Sequence, residues 1–426
     1  MSTDRVHDVS EKDLDVVVFG ATGITGRQVC VYLAERAPEI GARWAAVGRD
    51  PAKVAQVLGE IGVTAPETIV ADVNDPASLA AMASRTRVVL NLCGPYTLHG
   101  QPVIEACVAG GAHYMDLTGE IPFVRRMIDA YDARAAEAGV KVVQVSGFEA
   151  LPPDLAVLLA AETARERFDE GLAEADLEVS IKGPPGLPRP SDMISGGTFQ
   201  SLAAAAGRDD ASAVTDPAAL ITDPLVAGEV RRRSPINVAP RRGPDGAVIA
   251  PMAPAAFINP AVIQRTAALA GAEPFRYREG IALRGPAATL PLRYAGAAVL
   301  SGTQAAVAAA ARARPSVRRH VGSTLERILP GSGFGPSGDR LESWSWSMSV
   351  TARTTGGHDV RVDVEADGHP GYLATARMLG EAGLMLAEPG LTPERSGCLT
   401  PATALGTGSI ERFERAKLRF SVGAGG

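Results

Sequence analysis

The first 165 residues alternate short apolar runs with amphipathic stretches, and this rhythm commits the chain to a parallel sheet. Residues 15–19 form a β-branched run ending at Gly20, the pattern of a buried strand entering a tight turn. The next stretch carries Val29, Tyr32 and Leu33 at helical spacing and is expected to stop at Pro38. Further strands are predicted at 43–47, 68–71, 88–92, 113–117 and 140–145. Asp50-Pro51 and Asp75-Pro76 each mark a helix start, an N-cap carboxylate followed by the residue whose missing N–H costs nothing there. Other helices are expected at 102–109, opened by Pro102, at 122–138, closed by Gly139, and at 153–167. Parallel neighbours need crossovers, and right-handed crossovers put helices on both faces. Six such strands therefore define a doubly wound α/β sheet of the Rossmann type.

Beyond residue 167 the period changes. Residues 176–182, 276–283, 343–351 and 358–365 alternate apolar and polar, the last two joined at Gly356-Gly357 as a hairpin. Trp344, Trp346, Met348 and Val350 share one face of its first arm, and Val360, Val362 and Val364 one face of the second. That face either floors a substrate chamber or packs on helices. The expected organisation is a flexible tail (1–14), a Rossmann domain (15–167), an α+β substrate domain with a mainly antiparallel sheet (168–370), and a returning C-terminal helical segment (371–426). Within it, 205–274 is rich in Ala, Pro and Arg and reads as a mobile cover, and 331–338 as another loop. Arg231 to Arg233 and Arg241-Arg242 offer a landing for an acidic carrier or a phosphopantetheine, or else a solvated loop. Residues 294–311 are Ala-rich, too weakly apolar to span a bilayer. They are predicted to form a packed interior helix, with membrane contact as the alternative.

Composition excludes several classes. With 46% hydrophobic and 21% charged residues the chain is globular, and a net charge of −6 provides no basic field for nucleic acid. Cysteines 30, 93, 107 and 398 form no paired motif, and the polar N-terminus lacks a secretory pattern, so a reducing cytoplasm is expected. No sequence pattern for a metal or a hydrolase nucleophile occurs.

The first turn reads Gly20-Ala21-Thr22-Gly23-Ile24-Thr25-Gly26. Gly20 permits the turn, Gly23 the approach of a pyrophosphate to backbone N–H groups, and Gly26 close packing of helix on strand. Where an acidic residue would bind the 2′-hydroxyl of NAD, the second strand ends Val47-Gly48-Arg49. Arg49 can pair with a 2′-phosphate and stack on adenine, and Lys53 lies one turn further on, so NADP(H) is preferred. Asp50 is read as a helix cap, and Asp72 as a contact to the adenine edge or a turn residue. Ligands of such sheets sit outside the carboxyl ends of the strands. Gly94 and Pro95 would therefore meet the cofactor, with Tyr96 and His99 beside them and Glu120 and Phe148 completing the rim. Tyr114 and Asp116 are assigned to packing and strand-end capping, Asp154 to a helix N-terminus, and Cys93 to packing.

Gly20–Gly26, Val47-Gly48-Arg49, Cys93-Gly94-Pro95-Tyr96, residues 114–120 (YMDLTGE) and 147–154 (GFEALPPD) together resemble the saccharopine dehydrogenase-like oxidoreductases. Residues 195–198 (SGGT) and 371–376 (GYLATA) are similar to the actinobacterial branch of trans-acting enoyl reductases, which act in making long-chain polyketide lipids. The resemblance implies a nicotinamide-binding Rossmann domain, a substrate domain inserted before a returning C-terminal segment, and a small-molecule or carrier-bound lipid substrate. Enoyl reduction requires a hydride at the β-carbon, a donor to the enolate oxygen and a proton for the α-carbon. Tyr96 or His99 would supply the donor or proton, or else serve as a cofactor-packing phenol and a loop imidazole. A saccharopine-type imine dehydrogenase and a non-catalytic NADP-binding adaptor on a lipid surface stay open as alternatives. So do a carrier-protein contact and a homodimer.

Overall fold

The structure, a computed structural model, describes residues 12–185, 211–243, 246–252, 255–314, 316 and 338–423. The first eleven residues of the expected tail, the motif at 195–198 and the loop at 331–337 lie outside the described residues.

The chain runs β1 (Leu14–Phe19), α1 (Ile24–Glu39), β2 (Trp44–Gly48), α2 (Pro51–Gly59), β3 (Thr68–Val70), α3 (Pro76–Arg85), β4 (Thr86–Asn91), α4 (Tyr96–Gly110), β5 (His113–Asp116), α5 (Ile121–Glu137), β6 (Lys141–Val143) and α6 (Leu151–Phe168). It continues through β7 (Leu172–Lys182), α7 (Pro224–Arg233), β8 (Arg241–Arg242), β9 (Val248–Ala250), α8 (Asn259–Leu269), β10 (Arg276–Leu283), α9 (Leu290–Ala311), β11 (Ser345–Thr354) and β12 (Asp359–Asp367). The last elements are α10 (Thr375–Ala387), β13 (Gly397–Leu399), α11 (Pro401–Leu405) and β14 (Leu418–Val422).

One sheet has the order β13-β6-β5-β4-β1-β2-β3, its pairings all parallel. The chain leaves β1 for β2 and β3 on one side and returns to β4 on the other, so the carboxyl ends of β1 and β4 border the crevice where such sheets bind ligands. Val16, Val17 and Val18 are fully buried, as a strand covered on both faces demands. The second sheet has the order β14-β12-β11-β7-β10-β9-β8, antiparallel except for β7 against β10.

Three sequence expectations change, and one open alternative is resolved. Residues 371–426 were read as helical, yet they place a strand in each sheet, β13 beside β6 and β14 beside β12. Each of these strands is too short to show a period of its own. The expected cover around 205–274 is ordered where described, as α7, β8, β9 and α8. Its basic residues are answered by carboxylates: Arg231 pairs with Asp216, Arg232 and Arg233 with Glu229, and Arg241 with Asp176 of β7. The Ala-rich segment forms α9, but only Ala297, Gln304 and Ala311 of that helix are buried, so it is no interior helix. Among the described residues no helix is long and apolar enough to cross a membrane. Finally, the hairpin's apolar face is a core, not an open floor. Met348, Val350, Val362 and Val364 merge with Leu155, Ala156 and Ala160 of α6 into one cluster that continues to Val16, Val18 and Leu90 of the Rossmann sheet.

A buried ionic knot fastens the C-terminal segment to the cofactor domain. Glu381 of α10, fully buried, accepts from the Tyr32 hydroxyl (2.5 Å) and Arg36 Nε (3.3 Å) of α1, and from Arg412 Nε (3.0 Å).

Candidate active site

The turn after β1 is shaped by backbone packing. Gly20 has φ +96°, a conformation that L side chains rarely adopt, and a Cβ there would lie 3.1 Å from Cys93 Sγ. A Cβ on Gly26 would lie 2.2 Å from the Gly20 carbonyl oxygen, so only glycine lets α1 start this close to the strand. Gly23 is the N-cap of α1 and supplies no side-chain cap, and the first turn carries no acidic residue. The contrast with α2 and α3 is direct: Asp50 accepts from Lys53 N and Asp75 from Ala77 N. The open N–H groups at the positive end of α1 form the cradle a pyrophosphate requires.

Arg49 is exposed at the carboxyl end of β2, and Lys53 is exposed on α2. No carboxylate replaces Arg49, and the neighbouring Asp50 is engaged as a cap. The arrangement suits a 2′-phosphate. Asp72 accepts from Asn74 N (2.9 Å) and Asn74 Nδ2 (3.1 Å), the geometry of a turn residue. The Cys93 thiol, pushed up to about 12 by burial, feels the opposing charges of Arg49 and Asp72, which places both residues around the loop that follows β4. That thiol is inert at neutral pH.

Gly94 is exposed and is joined to Pro95 by a cis peptide bond. Helix α4 begins at Tyr96, six residues ahead of the Pro102 start read from the sequence. The reason is a distant cap: the Glu120 carboxylate accepts from Tyr96 N (3.0 Å) and Thr97 N (2.8 Å). Glu120, 3% exposed, is therefore a helix cap and not part of a substrate rim. Tyr96 is also buried. Its hydroxyl donates to the Asn91 carbonyl (3.2 Å) and accepts from Leu117 N (3.4 Å), which pins the ends of β4 and β5 together. This removes it as a free donor. Burial and the nearby Asp116 carboxyl hold the phenol well above its ordinary pKa. His99 lies half-buried on the first turn of α4, and its ring has no hydrogen-bond partner among the described residues.

Under this loop runs a buried network. Asn91 Nδ2 donates to the Tyr114 hydroxyl (3.0 Å), and that hydroxyl donates to Asp116 Oδ2 (2.8 Å). Asp116 Oδ1 accepts from Thr118 N (3.0 Å) and Val145 N (3.2 Å). These bonds cap the ends of β5 and β6, as the sequence suggested. They also hold Val145 at φ +62°, an outlier for a β-branched residue and the kind of strain found at functional sites. Burial pushes the Asp116 carboxyl up to about 7, opposed by its hydrogen bonds. A raised folded-state pKa means that the protonated form is favoured by folding, so this group's contribution is lost as pH rises from ~4 to about 7. Asp116→Asn cannot ionise. Its melting temperature relative to wild type should therefore climb through that window, and a difference that stays constant with pH would rule the assignment out.

The strained turn delivers Gly147-Phe148-Glu149 to the same edge. Phe148, assigned to the rim by sequence, is buried; its N–H donates to Thr375 Oγ1 (3.1 Å) and its ring meets Trp346 edge-on at 4.8 Å. Glu149 is the residue that sequence reading passed over. It keeps part of its surface exposed, its carboxyl makes no hydrogen bond to another described residue, and it lies beside Gly147, near Leu117 and Thr375. Desolvation raises its pKa, opposed by its own backbone N–H. Its signal was its position two residues past a strand-end glycine, inside a motif otherwise explained by structure. A second unforeseen feature adjoins it. A single π-turn, Pro370–Ala374, precedes α10, and Tyr372 and Leu373 pack with Ile24 of the phosphate loop. His369 bridges Trp344 (4.7 Å) and Tyr372 (4.9 Å) by ring contacts. Asp154, in the first turn of α6, accepts from Ala402 N (2.8 Å) and binds Thr266, so it joins three helices.

The fold and the loop define a nicotinamide-dinucleotide oxidoreductase with the dinucleotide across the ends of β1, β2 and β4. Residues 16–143 match the model of the saccharopine dehydrogenase NADP-binding domain, so the cofactor is NADP(H). The trans-acting enoyl reductase of Mycobacterium ulcerans is 33% identical over 420 residues, covering 95% of this chain and 96% of its own. That of Mycobacterium tuberculosis is 31% identical over 425 residues with the same coverage. The chain belongs to this family of saccharopine dehydrogenase-like, NADP-dependent oxidoreductases. Among solved structures, yeast saccharopine dehydrogenase (L-Glu forming) aligns over 96% of this chain and 99% of its own, with a TM-score of 0.47 and 15% identity. An Arg49→Asp variant should lose about tenfold or more in affinity for NADP while its affinity for NAD changes little. Equal losses in a fluorescence titration would contradict the 2′-phosphate role.

Proposed function

We propose that the protein reduces the carbon–carbon double bond of an enoyl thioester, presented free or on a carrier, in the building of a lipid or polyketide chain. The observation that carries this reading is the desolvated carboxyl of Glu149, bonded to no other described residue, at the strand ends where a nicotinamide ring would lie. The names of the relatives support the reaction class. Bound in the cradle, NADPH supplies a hydride to the β-carbon. Glu149, whose carboxyl desolvation shifts toward the protonated form, holds the proton that the α-carbon takes up. His99 offers a second donor, toward the carbonyl oxygen on which negative charge grows. The contacting rings of Trp344, His369 and Tyr372 would supply an aromatic wall that excludes water from the reacting carbons.

The test is to incubate the purified protein with NADPH and a series of enoyl thioesters and follow oxidation of the cofactor together with the saturated product. Oxidation with any activated thioester alkene is the expected result. Inertness toward all of them, with turnover of a keto acid plus an amine, would replace this reading with a saccharopine-type one.

A further inference from the structure

Helix α9 lies on the second sheet like a bar held at three points. Ala297, Gln304 and Ala311 recur every seven residues and are its buried positions, and Ala297 packs on Val248 and Ala250 of β9. Most of the other positions of this helix, ~33 Å long, are exposed. Leu292 is 73% exposed and Val299 69%, and Tyr294 and Leu300 are each 38% exposed. Half of the eight exposed large hydrophobic side chains among the described residues fall on this helix. Leu292 and Val299, seven residues apart, share its outward side.

Its charge is equally one-sided. From 280 to 325 the sequence has no Asp, Glu or Lys and six arginines, at 284, 293, 312, 314, 318 and 319, a stretch of +6 in a chain of net −6. Arg284 pairs with Glu178, and Arg293 is spent on the backbone carbonyls of Gly246, Leu283 and Pro286. Arg312 and Arg314, at the end of the helix, have no ion-pair partner among the described residues.

We infer that α9 is a docking surface for an anionic lipid membrane, lying in the interface with Leu292 and Val299 inserted and Arg312 and Arg314 on the headgroups. The observations select this occupant over the two others. A second copy of this helix offers Arg312 and Arg314 no carboxylate, since residues 280–325 hold no Asp or Glu. An acidic protein would satisfy the arginines but leave no role for the exposed leucines and valine. The inference goes beyond the proposed reaction and does not depend on it.

The experiment is sedimentation of the full chain with phosphatidylglycerol vesicles and, separately, phosphatidylcholine vesicles at low salt, with NADPH binding measured in parallel as a check on folding. The protein should pellet with the anionic vesicles at least about tenfold more strongly than with the neutral ones. Leu292→Asp/Val299→Asp and Arg312→Glu/Arg314→Glu should each abolish pelleting and leave NADPH affinity intact. No pelleting with anionic vesicles would overturn the inference. So would pelleting undiminished in Leu292→Asp/Val299→Asp, dimerisation lost in that variant, or retention by an acidic carrier protein alone.

Discussion

Glu149→Gln should reduce enoyl-thioester turnover by about a hundredfold or more while NADPH binds with unchanged affinity, because the amide keeps the shape and loses the proton. The pH profile separates this from a structural role. The wild-type carboxyl, lifted by desolvation, must be protonated to act, so its rate falls as pH rises through the raised pKa. In Glu149→Gln that limb should vanish, leaving a slow rate flat in pH over the same range. A variant that keeps the wild-type profile at lower amplitude would remove Glu149 from the proton path. A loss seen wholly in NADPH affinity would make it a cofactor contact.

The second large effect concerns stability. Glu381→Ala should destabilise the protein by about 2–4 kcal/mol, since removing the shared acceptor leaves the Tyr32 hydroxyl unpaired and takes from Arg36 and Arg412 their buried carboxylate, leaving them only the more exposed Glu39 and Glu388. Urea or thermal unfolding midpoints measure it. Replacing Glu381, Arg36 and Arg412 together by apolar residues should cost far less than Glu381→Ala alone, because no charge is then left uncompensated. Equal costs would show that the knot acts through packing only.

The cofactor domain was readable from the sequence because each of its signals is local. Val16 to Val18, the glycines at 20, 23 and 26, and the Asp-Pro pairs at 50–51 and 75–76 act on residues within a turn of themselves, and the structure puts them where the sequence did. What escaped depends on distant partners. The start of α4 is capped by Glu120, and a residue 23 or 24 positions away leaves no trace in a capping pattern. Tyr96 looked available for chemistry because its two hydrogen bonds go to backbone groups, which no side-chain pattern reveals. Glu149 was hidden for the opposite reason: its meaning comes from its carboxyl bonding no other described residue. The exposure of α9 was missed because alanine is compatible with either a core or a surface, and only three of that helix's positions are buried.

Consider what β13 and β14 imply for a chain made from its N-terminus onward. Each sheet receives an outer strand from residues 397–422, and α10, just before them, lies against α1 and the core strands of the first sheet. Neither half can finish before its late strand is made, residues 397–399 for the first sheet and 418–422 for the second. The Rossmann half leaves the ribosome with the edge of β6 unpaired, and the other half waits with the edge of β12 open. Maturation is therefore a single closing event in which one short segment seals both halves, and a nascent chain stopped before residue 397 would expose two adhesive edges at once.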